Sequence, residues 1–329
     1  MFVRLVLFLV FSAAMSVAVS APATLASQAY LELQEPKPDR EAGNGLLDAY
    51  RQAPSDEALK EVVLHLIRRR QSEQAWDLIE GHGAQPTQAY FDAKLATINA
   101  RMSQVSKLKK LGWARQLKST CTARAEKAPK DASALECLAK FHSRAPGIAG
   151  GDDEAGAEAL ARLIALNPAR GYLVEAEITF PDDADKALTL VNKALSYDAV
   201  YDEGLMQAAM VYGYFKDWDA AAAALARVDP SSPVAAMTHY QLGKLSAQLG
   251  ERLAQGEAAL LRFLQGDTLY YGVDFRGPAH WRLGQIFRHG ERYDLAKLAF
   301  ERALTYTPRL SAAKKDLKDV KKRIKQRGS

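Results

Sequence analysis

From Leu46 onward apolar side chains recur every three or four residues, the spacing that gathers them on one stripe of an α-helix. Each run ends in a short polar, glycine or proline turn. Leu46, Leu47 and Tyr50 make the first stripe. Leu59, Val62, Val63, Leu66 and Ile67 make the second, with Ser55 and Asp56 as its start signal. A shorter partner carries Ala75, Trp76, Leu78 and Ile79 and stops at Gly81 and Gly83. Residues 88–127 are apolar at Tyr90, Leu95, Ile98, Met102, Val105, Leu108, Leu111, Trp113 and Leu117. That run is too long for one ordinary helix, and a break is expected near Gly112.

The pattern is paired after that. Leu135, Leu138, Ala139 and Phe141 lead into the loop 145–151, and Asp152, Asp153 and Glu154 then suit the positive end of a helix reaching Pro168. A first helix near 172–178 precedes one carrying Ala187, Val191 and Ala194. Leu205, Ala208, Ala209 and Tyr212 pair with Trp218, Ala221 and Leu225, closed by Pro233; Leu242 and Gly243 pair with Gly256 and Leu260. Leu317, Val320 and Ile324 give the last helix an apolar stripe opposite a basic face, which is what the end of a stack of hairpins needs.

The most regular unit is 279–308. With Pro308 as position 32, Leu283 falls at 7, Gly284 at 8, Phe287 at 11, Ala296 at 20 and Ala303 at 27, with Tyr293 and Phe300 between. Small residues at 8, 20 and 27 let two antiparallel helices approach, and the proline cannot continue the helix. This unit resembles the tetratricopeptide repeat, specifically over 283–308, fairly over 205–260 and weakly before Pro168. The resemblance implies an all-α, right-handed α-solenoid of divergent hairpins with a basic capping helix. It divides the chain into a signal peptide (1–26), a linker (27–45), degenerate hairpins (46–130), repeats (131–308) and the cap (309–329).

Members of that superfamily hold peptides or partner proteins in a concave groove, toward which positions 2, 5, 9, 12 and 13 of each first helix point. Carried over, these positions nominate Met206, Met210 and Tyr214; Met237, Tyr240, Lys244 and Gln248; and Trp281, Gln285, Arg288 and His289. Tyr240 and Trp281 are expected to share one concavity. Tyr270, Tyr271 and Phe275 would wall or plug it.

Composition adds compartment and charge. Residues 1–21 carry one early cation, Arg4, then an apolar run and small residues, the pattern of a secretory signal, with cuts conceivable after Ser20, Ala26 or Ala29. An uncleaved N-terminal membrane anchor is the alternative, and export would place the protein in the periplasm or outside the cell. Residues 309–329 hold nine Lys or Arg against two Asp, so the formal +5 of the chain is a property of its tail. It is not a nucleic-acid footprint, though the basic face can meet an anionic envelope surface. Cys121 and Cys137 lie nearly opposite each other across a hairpin turning near Pro129, which suits a disulfide.

The sequence offers no catalytic or metal motif. His65, His82, His142, His239, His280 and His289 form no ligand spacing, and the glycines of 145–151 lack the Lys-Ser/Thr of a phosphate loop. No cofactor and no catalytic residue are therefore nominated. Two functions compete: a non-enzymatic exported scaffold binding a peptide or partner protein, and a periplasmic small-ligand carrier or transport accessory. The first needs a continuous groove, the second an enclosed pocket.

Overall fold

A computed structural model describes residues 28–33, 40–83, 86–197, 200–232, 234–270 and 273–327. The signal-like stretch 1–26, Pro233 and Tyr271 lie outside the described residues. The chain is an all-α solenoid interrupted by a single two-stranded hairpin among the described residues. Its helices run α1 (Arg40–Gln52), α2 (Asp56–Arg68), α3 (Ser72–Gly81), α4 (Gln88–Gln104), α5 (Lys107–Lys127), α6 (Ala132–Arg144), α7 (Asp153–Leu166) and α8 (Pro168–Thr179). Then follow α9 (Ala184–Leu195), α10 (Asp202–Tyr214), α11 (Trp218–Ala226), α12 (Ala235–Leu249) and α13 (Leu253–Leu264). Strands β1 (Leu269–Tyr270) and β2 (Val273–Asp274) precede α14 (Arg276–His289), α15 (Tyr293–Tyr306) and the terminal α16 (Ser311–Arg327).

Local chemistry sets the boundaries. The side chains of Ser55, Asp131, Asp152, Asn167, Asp183 and Asp217 each accept a backbone N–H in the first turn of the helix that follows, the role these residue types fill best. Between paired helices the same closure recurs at both ends of the chain. Arg70, Lys216 and Glu291 all adopt positive φ, and the next residue's N–H returns to a carbonyl five back: Gln71 to Leu66, Asp217 to Tyr212, Arg292 to Phe287. The hairpin of α2 and α3 is thus built on the same turn as the later repeats. The break expected near Gly112 falls instead at Val105 and Ser106, whose extended backbone ends α4, and α5 runs unbroken through Gly112.

Packing explains the small residues of the signature. A Cβ at Gly243 would collide with Leu260, and one at Gly284 with the ring of Phe300, so bare backbone at these two positions lets α12 meet α13 and α14 meet α15. The main core runs from Leu173 to Val320 and takes in Phe263, Phe287 and Phe300; a separate core joins Leu59, Val63, Ile79 and Ala93. Val320 is fully buried, with Leu317 and Ile324 packed beside it, so α16 caps the stack through its apolar stripe. Cys121 and Cys137 are joined by a disulfide that ties α5 to α6, with Cα atoms 5.8 Å apart.

Two long-range contacts bend the solenoid back on itself. Within the stretch read as a linker, Tyr30 is fully buried among the last repeats. Its hydroxyl lies 3.0 Å from His280 Nδ1, its ring meets Phe287 edge-on, and Arg302 covers its face while donating to its carbonyl. Separately, Leu269 of the β-hairpin packs on the N-terminal core. Arg68 binds Asp267 at 2.6 Å, and Arg276 donates to the Arg68 carbonyl.

Two outcomes follow from these contacts. Tyr30→Ala should cost about 3 kcal/mol or more in urea unfolding, the usual result of emptying a buried aromatic site, whereas exposed Leu31→Ala should cost little. Thiol titration of denatured, unreduced protein should find no free cysteine. Reduction should lower stability by about 3 kcal/mol for a loop of this length, and two free thiols would contradict the bridge.

Candidate functional site

The inner face of the solenoid forms a cavity of about 1520 Å³, open on one side, walled mainly by α2, α4, α5, α6, α8, α10 and α12 and, beside them, by Asp267 and the β-hairpin residues Leu269 and Tyr270. The polar part of its wall is a ladder between neighbouring repeats. Lys60 binds Asp92 at 3.0 Å, and Arg124 takes the other oxygen of Asp92 at 3.1 Å while holding Asp131 at 2.7 Å. Further along, Glu136 receives Arg170 at 2.7 Å and Lys140 at 2.5 Å. Lys140 and Arg144 then converge on Glu177, which also accepts from Gln207.

Apart from the local pairs Arg124–Asp131 and Lys140–Glu136, the partners from Lys60 to Gln207 stand 30–37 residues apart, so these links join one hairpin to the next. Burial alone would push the Glu136 carboxyl up, but Lys140 and Arg170 outweigh it and hold it below the usual carboxylate range. Burial likewise pulls Lys140 down, and Glu136 and Glu177 more than restore it. Glu136 and Lys140 are thus held charged by their partners, while Arg124 Nη2 and Gln207 Oε1 of the same ladder are buried with no hydrogen-bond partner among the described residues.

The apolar part of the wall includes Leu95, Phe180, Met206, Met210 and Tyr214. Phe180 and Phe215 flank Tyr214 edge-on at 5.1 and 5.2 Å, and Met210 and Tyr214 are largely exposed to the interior space. Of the nominated groove residues, the structure brings Met206, Met210, Tyr214, Lys244 and Gln248 to this cavity.

The others are elsewhere. Met237 is buried in the main core, and Tyr240 packs against Phe263 and Phe275, so neither lines the space. The side chains of Trp281, Gln285 and Arg288 all donate to one carboxylate, Asp316 of α16, and His289 lies 3.1 Å from the Ala247 carbonyl oxygen. The concavity expected for Tyr240 and Trp281 therefore does not form: hairpin packing covers the first, and the capping helix claims the second. Tyr270 walls the cavity, while Phe275 fills the gap beside Tyr240.

Several wall residues carry no periodic sequence signal in isolation. Lys60, Asp92 and Arg124 could have been found as charges of alternating sign at a constant 32-residue interval. Glu177 and Glu203 could not, since nothing in their neighbourhood marks them.

Lys244 differs from the ladder. It is half-buried at the wall, and no hydrogen bond or ion pair reaches its ammonium among the described residues. Burial, and after it the nearby charge of Arg282, push it down to about 8.

Hairpin packing, the recurrent turn and the lateral register give the chain the fold of an α-solenoid of helical hairpins. No family model matches it, and neither does any curated protein. Similar solved structures include YrrB, described as a TPR protein with an unusual peptide-binding site, at 15% identity and TM-score 0.40, over 59% of this chain and 95% of that one. The APC/C hetero-tetramer Cut9-Hcn1 follows at 13% identity and TM-score 0.43, over 90% and 68%, and yeast Tom70 at 12% and 0.35, over 86% and 78%. These likenesses concern the fold alone.

The unpaired lysine yields a pH test. A lysine whose folded value lies below its unfolded 10.5 binds fewer protons when folded, so its contribution to stability rises as pH climbs from about 8 to 10.5. Lys244→Met should therefore melt above the wild type at pH 7, and calorimetry should show the gap closing by pH 10.5. A variant less stable at pH 7 would contradict the unpaired burial.

Proposed function

We propose that the chain is a non-enzymatic, exported scaffold that holds a peptide segment of a partner protein along the inner face of its solenoid. The observation that carries this reading is the cavity. Small-molecule pockets typically span about 300–1000 Å³, and a volume of about 1520 Å³ exceeds what one small solute fills. Its wall mixes an adaptable methionine pair and exposed Tyr214 with donors and acceptors, the chemistry that accommodates a polypeptide segment. Export is supported by the signal-like pattern of 1–26 and by a disulfide in a small hairpin loop. No described helix is long and apolar enough to cross a membrane. On α16 the exposed Lys314, Lys318 and Lys322 share one stripe that suits contact with an anionic envelope surface.

A second reading, a small-ligand carrier, is favoured by one feature: the β-hairpin walls one side of the space and joins it to the N-terminal core. Site-specific crosslinking separates the two. A photoreactive residue at Met210, inside the cavity, should capture a short contiguous segment of a partner protein in an extract of the source cell. The same residue at exposed Glu158 on α7 should not. Capture of a low-mass compound at Met210 would favour the carrier, and equal capture from both positions would remove the cavity from the function.

A further inference from the structure

The charges of the cavity wall do not balance. Eight Lys or Arg line it against five Asp or Glu, a formal excess of three. Asp131, just behind the wall, offsets one through Arg124, and Lys216 stands exposed at the rim. Lys244 remains.

Its surroundings deepen the imbalance. The charge that acts on it is a second cation, Arg282, which makes no ion pair within contact distance among the described residues; the Tyr240 hydroxyl and, from farther off, the Asp316 carboxylate support it. The guanidinium lies 4.0 Å over the Trp281 ring and donates to Gln285 Oε1 at 2.8 Å, and its Nε is buried with no hydrogen-bond partner. Burial lowers Arg282 as well as Lys244. Two partly buried cations side by side repel each other and lose hydration, a cost that a chain avoids unless an anion completes the group. The same face of α12 presents Gln241 three residues before Lys244 and Gln248 four after it, so amide donors flank the ammonium along one stripe of the cavity. Across the space, Met210 and Tyr214 offer apolar surface for the stem of an occupant.

We infer that the cavity takes an acidic polypeptide segment, with the Lys244 ammonium as counter-charge to a glutamate or aspartate side chain of that segment. The inference deepens the peptide-binding reading above and rests on it. The wall carboxylates Asp92, Glu136, Glu177 and Asp267 are already held in ion pairs, so a basic segment finds no free acid among them, whereas an acidic one gains an ion pair with Lys244 on entering. The gain is large there because the group is shielded from water on the protein side and a charge-assisted hydrogen bond is correspondingly strong.

The experiment uses full-length mature protein and fluorescent twelve-residue peptides, acetylated and amidated at their ends, in which leucine alternates with glutamate, glutamine or lysine. At low ionic strength the glutamate peptide should bind at least about tenfold tighter than the glutamine peptide by anisotropy, the scale of one charge-assisted contact. Lys244→Met should reduce that ratio below about threefold, and Lys244→Arg should preserve it. Equal binding of glutamate and glutamine peptides overturns the inference, as does a preference that survives in Lys244→Met. A preference that appears only when the peptide's C-terminal carboxylate is left free overturns the side-chain assignment. Binding by none of the three peptides sinks the peptide reading itself, which is a different failure from loss of the charge preference.

Discussion

A two-helix hairpin carries more apolar surface than it can cover by itself, so each repeat here is stable only against the next. Everything else follows from how closely neighbours can approach. Bare backbone at Gly243 and Gly284 sets the distance within a hairpin, because Leu260 and Phe300 occupy the space a side chain would need. The ion pairs of the inner face set the relation between hairpins. Lys60 with Asp92, Asp92 with Arg124, and Glu136 with Arg170 each bridge one repeat interval, so curvature is fixed by groups that also form the wall of the cavity. One set of side chains therefore shapes the solenoid and lines its site.

That double duty limits what the wall can recognise. A carboxylate already shared by two cations, such as Glu177 between Lys140 and Arg144, has little left to offer a ligand, and removing one partner would strand a charge. Recognition falls to groups that the architecture does not use: the exposed Met210, the exposed ring of Tyr214, and Lys244.

The sequence was most informative where one residue type has one physical reason to be there. The small positions and the proline of 279–308 announced a close helical hairpin, and Ser55 and Asp152 marked helix starts that the structure keeps. Cys121 and Cys137 were legible because both helices and their turn could be placed. The site was half legible. Lys244 and Met210 reach the cavity because position in the repeat decides their direction, but Tyr240 and Trp281 do not. Their environment is set by Phe275 and by Asp316, which belong to an irregular segment and a terminal helix outside the repeat rule. Tyr30 gave no signal at all: a lone aromatic in a polar stretch has no periodicity, and its partner His280 is 250 residues away. The β-hairpin closure was equally invisible, since it depends on the accumulated curvature of every repeat between Arg68 and Asp267.

That closure changes the character of the molecule. In an open array of repeats the outermost units have a neighbour on one side only, and they fray first, opening at little cost while the middle stays folded. Here the first hairpins rest on Leu269 and Asp267, and the segment ahead of them is pinned by Tyr30 inside the last repeats. Neither end is a loose end. Loss of the outer units then requires breaking contacts that span most of the chain, so unfolding is drawn toward one cooperative event instead of progressive peeling from the termini.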